Sequence, residues 1–217
     1  MEIETILFIL EIIGTISFAV SGAFVAIKAK FDIFGVLVIG CITAVGGGIM
    51  RDMLIGKFPP GIFEKVYIIL IASASALVTF FISYLYRKKF DGVRGKIEYI
   101  NNVFDALGLA AFTVMSTELT FTYGYQENIF LSLVLGVLPA VGGGVLRDIL
   151  TETPPYIFTK HVYAVAALGG ATLYYVMRWW VDGTILPSVL GMVFVFGIRM
   201  IATKYHWKLP KITFDKN

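Results

Sequence analysis

Seven stretches of this chain run for about twenty residues with almost no charge, the length a helix needs to cross a hydrocarbon layer ~30 Å thick. They cover approximately residues 5–27, 33–50, 62–86, 101–117, 129–147, 157–178 and 184–203. The runs are continuously apolar and do not alternate over the ~10 residues of a barrel strand, so helices are expected. The fold class is therefore an all-α integral membrane protein. Composition agrees, since 58% hydrophobic residues, 15% charged residues and a mean hydropathy of +0.82 suit lipid as the solvent.

The net charge of +3 makes no case for nucleic acid as a partner. The opening "MEIETILFIL" has two glutamates and no base ahead of its apolar run, so it lacks the basic start of a cleaved signal peptide and reads as the first span. Cys41 is the one cysteine, and His161 and His206 lie far apart. No disulfide framework, metal site or cofactor is expected, and Cys41 reads as packing.

Seven crossings put the two termini on opposite sides. Of the eighteen lysines and arginines, all but Arg51, Lys57, Lys65 and Arg178 then fall on one face. Positive residues favour the cytoplasm, which places the N-terminus outside and the C-terminus inside, although Arg51 and Arg147 sit at membrane depth and count for little. Tyr84, Tyr86, Trp179 and Trp180 close the third and sixth spans, where interfacial aromatics belong.

The stretch "AVGGGIMRDML" at 44–54 returns as "AVGGGVLRDIL" at 140–150. Around it, residues 11–86 lie over 105–178, with "EIIGTISF" matching "DALGLAAF" and "PPGIFEKVY" matching "PPYIFTKHVY". Each copy holds three spans, an odd number, so the copies enter the membrane from opposite sides as inverted repeats. The expected organisation is a first three-helix repeat at 1–86, a basic cytoplasmic linker at 87–100, a second, inverted three-helix repeat at 101–178, one extra helix at 179–203 and a basic tail at 204–217.

A glycine costs roughly 1 kcal/mol inside a helix relative to alanine, so two triplets in matching helices demand a reason. Gly46, Gly47 and Gly48, with Gly142, Gly143 and Gly144, are expected to kink or unwind the second and fifth spans and turn backbone carbonyls toward a cation. Pro139 adds a further breaking element to the second copy. The competing reading is close packing, because small residues let membrane helices approach.

Arg51-Asp52 and Arg147-Asp148 follow the triplets. Adjacent residues on a helix do not face each other. Each arginine is therefore expected to reach carboxylates or carbonyls of neighbouring helices, leaving Asp52 and Asp148 to attract cations at two mouths. Ordinary interfacial charge is the alternative. Glu11 and Asp105 occupy matching positions; Glu11 lies two turns into its helix and needs a partner or water, whereas Asp105 suits a first-turn acid. Glu118 is expected at the interface. Ser17, Ser21 and Thr43 either line a hydrated path or bond back to their own helices. Pro59-Pro60 and Pro154-Pro155 read as rigid turns before the third and sixth spans.

The duplicated "AVGGG..RD" blocks, the three-plus-three inverted repeats and the single extra span together resemble the trimeric intracellular cation (TRIC) channel family in its short prokaryotic form, up to about residue 203. The resemblance implies a homotrimer in a prokaryotic plasma membrane. Each protomer would have its own pore for potassium and sodium, lined largely by the kinked second and fifth helices. It carries the kink role onto Gly46, Gly47, Gly48, Gly142, Gly143 and Gly144, with Arg51, Asp52, Arg147 and Asp148 beside them.

The sequence departs from that pattern at two places. "RDMLIGKFPP" does not reproduce the lysine-containing lipid motif of animal relatives, and "STELTF" lacks the lysine found late in the fourth span of many bacterial ones. Relatives are also described as glycine transporters, so secondary transport of a small amino acid such as glycine is the alternative, and broken inverted repeats suit either. HExxH, P-loop and G-x-S-x-G motifs are missing, which argues against an enzyme. The partners expected are monovalent cations, copies of the same chain and membrane lipid, with anionic headgroups facing the basic linker and tail.

Overall fold

A computed structural model describes residues 2–86, 94–159 and 162–207. Among them the α-helices are α1 (Glu2–Lys28), α2 (Ile33–Leu54), α3 (Val66–Leu85), α4 (Arg94–Thr122), α5 (Ile129–Leu150), the short α6 (Tyr156–Thr159), α7 (Tyr163–Trp180) and α8 (Ile185–Lys204). A 3-10 turn at Gly61–Phe63 precedes α3, and no strand occurs among the described residues. Six helices, α1 to α5 and α8, are long and apolar enough to cross a membrane. α7 has the length, 18 residues, but three tyrosines, two tryptophans and Arg178 lower its hydropathy. The chain is an all-helical, multi-pass membrane protein.

Some expected boundaries move. α4 begins at Arg94, inside the stretch read as linker, and α7 begins at Tyr163 after the separate turn of α6. The bases Arg87, Lys88, Lys89, Lys160, Lys208, Lys211 and Lys216 lie outside the described residues.

The ends of α2 and α5 are made in the same way. Asp32 caps α2 by accepting from the Gly35 amide at 2.8 Å, and Asn128 caps α5 by accepting from Leu131 at 3.0 Å, each satisfying one of the amides a helix start leaves unpaired. At the other ends Gly56 (φ +75°) and Glu152 (φ +53°) turn the chain through the left-handed region. The next amides, of Lys57 and Thr153, return to the carbonyls of Asp52 and Asp148 at 2.8 and 2.9 Å. The Pro-Pro pairs then direct the chain into the following helix, as expected.

Neither glycine triplet interrupts its helix, which corrects the expectation of unwinding. The reason lies in the crossing of α2 and α5. A Cβ on Gly47 would overlap the carbonyl oxygen of Pro139, and one on Gly143 would overlap that of Thr43. The glycine hydrogens point at those oxygens instead, in the manner of Cα–H···O contacts between close-packed helices. Gly46 and Gly142 make room for Leu146 and Met50, whose side chains lie 2.6 Å from where the missing Cβ atoms would stand. Gly48 and Gly144 are looser. The propensity cost of the glycines is thus offset by packing that larger residues forbid.

A second reciprocal contact joins α1 to α4. Phe112 fills the space beside Gly14, Phe18 fills the space beside Gly108, and the two rings stack at 5.4 Å and 17°. Around this four-helix centre, α3 lies on α1 and α2, whereas α7 lies on α4 and α5 and α8 lies on α4 and α7. α4 is consequently the most enclosed helix, and α3 presents Leu70, Val78, Phe81, Ile82 and Leu85 outward.

Candidate functional site at the ends of α2 and α5

The sequence expectation for the Arg-Asp pairs fails in one respect. Arg51 bonds to its own neighbour, with Nε and Nη2 donating to Asp52 Oδ1 at 3.0 and 2.8 Å. Arg147 Nε likewise donates to Asp148 Oδ1 at 2.8 Å. The rule that adjacent residues diverge concerns Cβ directions. A long guanidinium in a final helical turn can fold over the next carboxylate, and in an apolar setting an unpaired charge costs far more than that bend.

Asp52 and Asp148 are therefore buried and fully engaged, a correction to their placement as open acids at two mouths. Their second oxygens accept from the amides that follow the Pro-Pro turns, Gly61 for Asp52 at 2.7 Å and Tyr156 for Asp148 at 2.8 Å. Each aspartate ties the end of one helix to the start of the next element.

Glu11 sits beside the first pair. It is buried, and Oε2 accepts from Lys65 Nζ at 2.8 Å and Tyr67 Oη at 3.3 Å. Burial lowers the affinity of Lys65 for its proton, but Glu11 outweighs that effect and holds the lysine above its ordinary value of 10.5. A cavity of about 40 Å³ opens here, with Thr15, Gly48, Arg51, Asp52, Lys57 and Phe112 joining Glu11 and Lys65 in its wall. That is space for a water molecule or two. Lys57 is turned to Glu64 at 3.3 Å, and Arg51 Nη1 reaches Met115 Sδ at 3.5 Å.

The second cluster is sealed. Arg147, Asp148 and Asp105 are each 0% exposed. Arg147 Nη1 donates to Asp105 Oδ1 and to Ser21 Oγ, both at 2.7 Å, and Ser21 in turn donates to Asn101 Oδ1 at 2.9 Å. Asn101 Nδ2 donates to Tyr156 Oη at 3.1 Å, and the Arg147 guanidinium lies over the Tyr156 ring at 4.9 Å. Burial, with Asp105 nearby, pushes the Tyr156 phenol up to about 12, so it stays neutral. From α8, Arg199 covers the Tyr163 ring at 4.7 Å. Because α4 begins at Arg94, Asp105 lies three turns inside the helix, which corrects its reading as a first-turn acid.

Other expected residues divide. Ser21 joins the second cluster, Ser17 is buried on α1, and Thr43 bonds back to the Ile39 carbonyl at 2.6 Å. Glu118, expected at the interface, lies one turn before the end of α4, where it is buried and accepts from Tyr174 Oη at 2.6 Å and Arg178 Nε at 3.0 Å, clamping α7 to α4. Cys41 packs half-buried against Ser73. Thr15, Lys65, Tyr67, Tyr156, Tyr163 and Arg199 were not legible as site residues. The repeated "VY" of "EKVY" and "KHVY" was the available signal for the two tyrosines Tyr67 and Tyr163. Among the described residues no group of three or more His, Cys, Asp or Glu side chains could hold a metal.

Comparison with known proteins places this architecture. A family model described as Glycine transporter matches twice, at residues 8–84 and 102–179. The UPF0126 inner membrane protein YadS of Escherichia coli K12 is 34% identical over 212 residues, 96% of this chain and 97% of that protein. The UPF0126 membrane protein YvgT of Bacillus subtilis 168 is 35% identical, over 95% and 96% of the two chains. Among solved structures, a prokaryotic TRIC channel crystallised in 0.5 M KCl superposes with a TM-score of 0.84 at 30% identity, covering 95% of this chain and 100% of that one. The TRIC trimeric intracellular cation channel orthologue from Rhodobacter sphaeroides gives 0.83 at 28% identity, over 94% and 100%. Matched twice by one family model and along nearly its full length by these relatives, the chain belongs to the family of TRIC and UPF0126 membrane proteins.

Proposed function

We propose that the protein is a monovalent cation channel for potassium and sodium, with a pore through each protomer of a homotrimer. The observation that carries this reading is the likeness of the whole fold to solved TRIC cation channels, at 30% identity and a TM-score of 0.84. In this reading the chain crosses the prokaryotic plasma membrane seven times, as inverted repeats at 1–86 and 101–178 plus the extra helix at 179–203. The N-terminus is outside, and the linker at 87–100 and tail at 204–217 face anionic headgroups in the cytoplasm.

The ion pairs support seven crossings. Alternating passes place Glu11, Arg51, Lys65, Glu118 and Arg178 at one end of the bundle and Ser21, Asp105, Arg147, Tyr163 and Arg199 at the other. The bonds Glu11 to Lys65, Glu118 to Arg178 and Arg147 to Asp105 each join residues of the same end. α7, at 18 residues, reaches about 27 Å at 1.5 Å per residue, close to the hydrocarbon thickness.

The conduction route runs between the α1–α4 pair and the α2–α5 pair. It starts at the Glu11 cavity, passes Thr15 and the stacked Phe112 and Phe18, and ends at Ser21 and Asp105. With Arg51 paired to Asp52, and one arginine, Arg147, set between the two acids Asp148 and Asp105, Glu11 and Asp105 are the acids a cation meets at the two ends. The crossing at Gly46 to Gly48 and Gly142 to Gly144 sets the width between them.

Reconstitution into liposomes tests the proposal. Potassium efflux should be fast and uncoupled, and radiolabelled glycine should not accumulate above protein-free vesicles. Slow, saturable glycine uptake without potassium conductance would replace the channel with a carrier, the function named in the description of the matching family model.

A further inference from the structure

We infer that Lys65 is a tethered counter-cation at the Glu11 end: its ammonium occupies the carboxylate that an arriving potassium ion would otherwise meet, and so sets how strongly cations are drawn in from that side. The inference rests on the channel reading.

It starts from a difference between matched acids. Asp105 is held by an arginine with no exposure, which is itself fixed by Asp148 and Ser21, so removing that partner would strand two buried carboxylates. Glu11, at the equivalent position, is not served by Arg51, which spends its donors on Asp52 and Met115. Its partner is Lys65, the residue just before α3, with a side chain 41% exposed against 7% for Glu11. A lysine ammonium is a compact, strongly hydrated point charge on a flexible stem, and it can swing into water where a guanidinium locked between two acids cannot.

The cavity gives the exchange somewhere to happen. It lies directly on the pair, and the hydroxyl of Tyr67 remains on Glu11 when the ammonium leaves, with Thr15 in the same wall. Its lining charges are Arg51, Lys57 and Lys65 against Glu11 and Asp52, one positive in excess. Neutralising Lys65 brings the lining to balance and exposes one carboxylate to the incoming ion. Lys65 thus restrains the admission of cations at one mouth.

The test is planar-bilayer recording of the full chain in a Cys41→Ser background, with potassium varied on one side at a time. Lys65→Met should lower the half-saturating potassium concentration roughly threefold to fivefold for current entering at its own end, the scale of a partly exposed ion pair. Current entering at the other end should keep its saturation. Adding Glu11→Gln should remove the gain. Because Lys65→Met leaves Glu11 unpaired during folding, Lys65→Cys is modified after reconstitution: a cationic methanethiosulfonate should restore the parental saturation and a neutral one should not. A conducting Lys65→Met whose saturation is unchanged, or changed equally from both ends, overturns the inference and leaves Lys65 as a staple between α1 and α3. Absence of potassium current in the parent protein overturns the channel reading instead, and this inference with it.

Discussion

The two ends of the α2–α5 crossing carry the same residues and are filled differently. Arg51-Asp52 and Arg147-Asp148 form the same pair, and each aspartate caps the same Pro-Pro turn. Yet one end holds an open cavity and the other encloses Arg147, Asp148 and Asp105 with no exposure. The difference comes from residues that the repeat does not copy. Met115 faces Arg51 where Ser21 faces Arg147, so one guanidinium meets a thioether and the other a hydroxyl network. Gly61 stands where Tyr156 covers the second arginine, and α8, without a counterpart in the first half, adds Arg199 over Tyr163. A duplicated scaffold fixes the helix crossing and its caps, and the unduplicated side chains decide which end admits water.

The largest effect expected from breaking this comparison lies at the crossing itself. Gly47→Leu or Gly143→Leu drives a side chain into a carbonyl oxygen of the facing helix and should leave no monodisperse protein in size-exclusion chromatography. Gly48→Ala, whose new Cβ meets nothing nearer than Arg51 Nη2 at 4.0 Å, should be tolerated within about 1 kcal/mol, measured by thermal unfolding in detergent. Equal damage from Gly47→Ala and Gly48→Ala would mean that the triplet acts through flexibility and not through contact.

The charge pairs come next. Asp148→Asn strips a charge-assisted bond from a fully buried arginine that keeps Asp105, and should cost about 1.5–3 kcal/mol of stability. Asp52→Asn should cost less, because Arg51 borders the cavity and water can reach it. Reversal of that order in denaturation experiments would remove the distinction between a sealed end and an open one.

A smaller, sharper effect concerns access. In a Cys41→Ser background, Thr15→Cys should react with a water-soluble thiol reagent within minutes, whereas Ser21→Cys, inside the Arg147 network, should stay unmodified in the same time. Similar labelling of both would show that the two clusters are equally hydrated.

Much of this architecture was legible in the residues. The apolar runs name the helices because lipid leaves the backbone no other way to satisfy its polar groups, and the repeated blocks align the very positions that touch across the crossing. Gly47 with Pro139 and Gly143 with Thr43 were beyond reach: a glycine triplet reads equally as a break or as a contact, and a facing carbonyl decides which. Arg147 reaches Asp105 on α4 as the sequence suggests, but the bond of each arginine to its own aspartate escapes a rule about Cβ directions, because the side chain is long enough to fold back. The partners of Glu118 were likewise out of reach, because only the packing of α7 brings Tyr174 and Arg178 against it. Arg199 carries no motif and Lys65 lies unremarked inside a repeated block, and only the packing of α3 and α8 assigns them to the two ends.

Single-channel recording in planar bilayers under a potassium chloride gradient tests the central proposal most directly. The account predicts discrete, ohmic openings that reverse near the potassium equilibrium potential and require no glycine. Silent bilayers containing folded protein, or currents that reverse near the chloride potential, would contradict it.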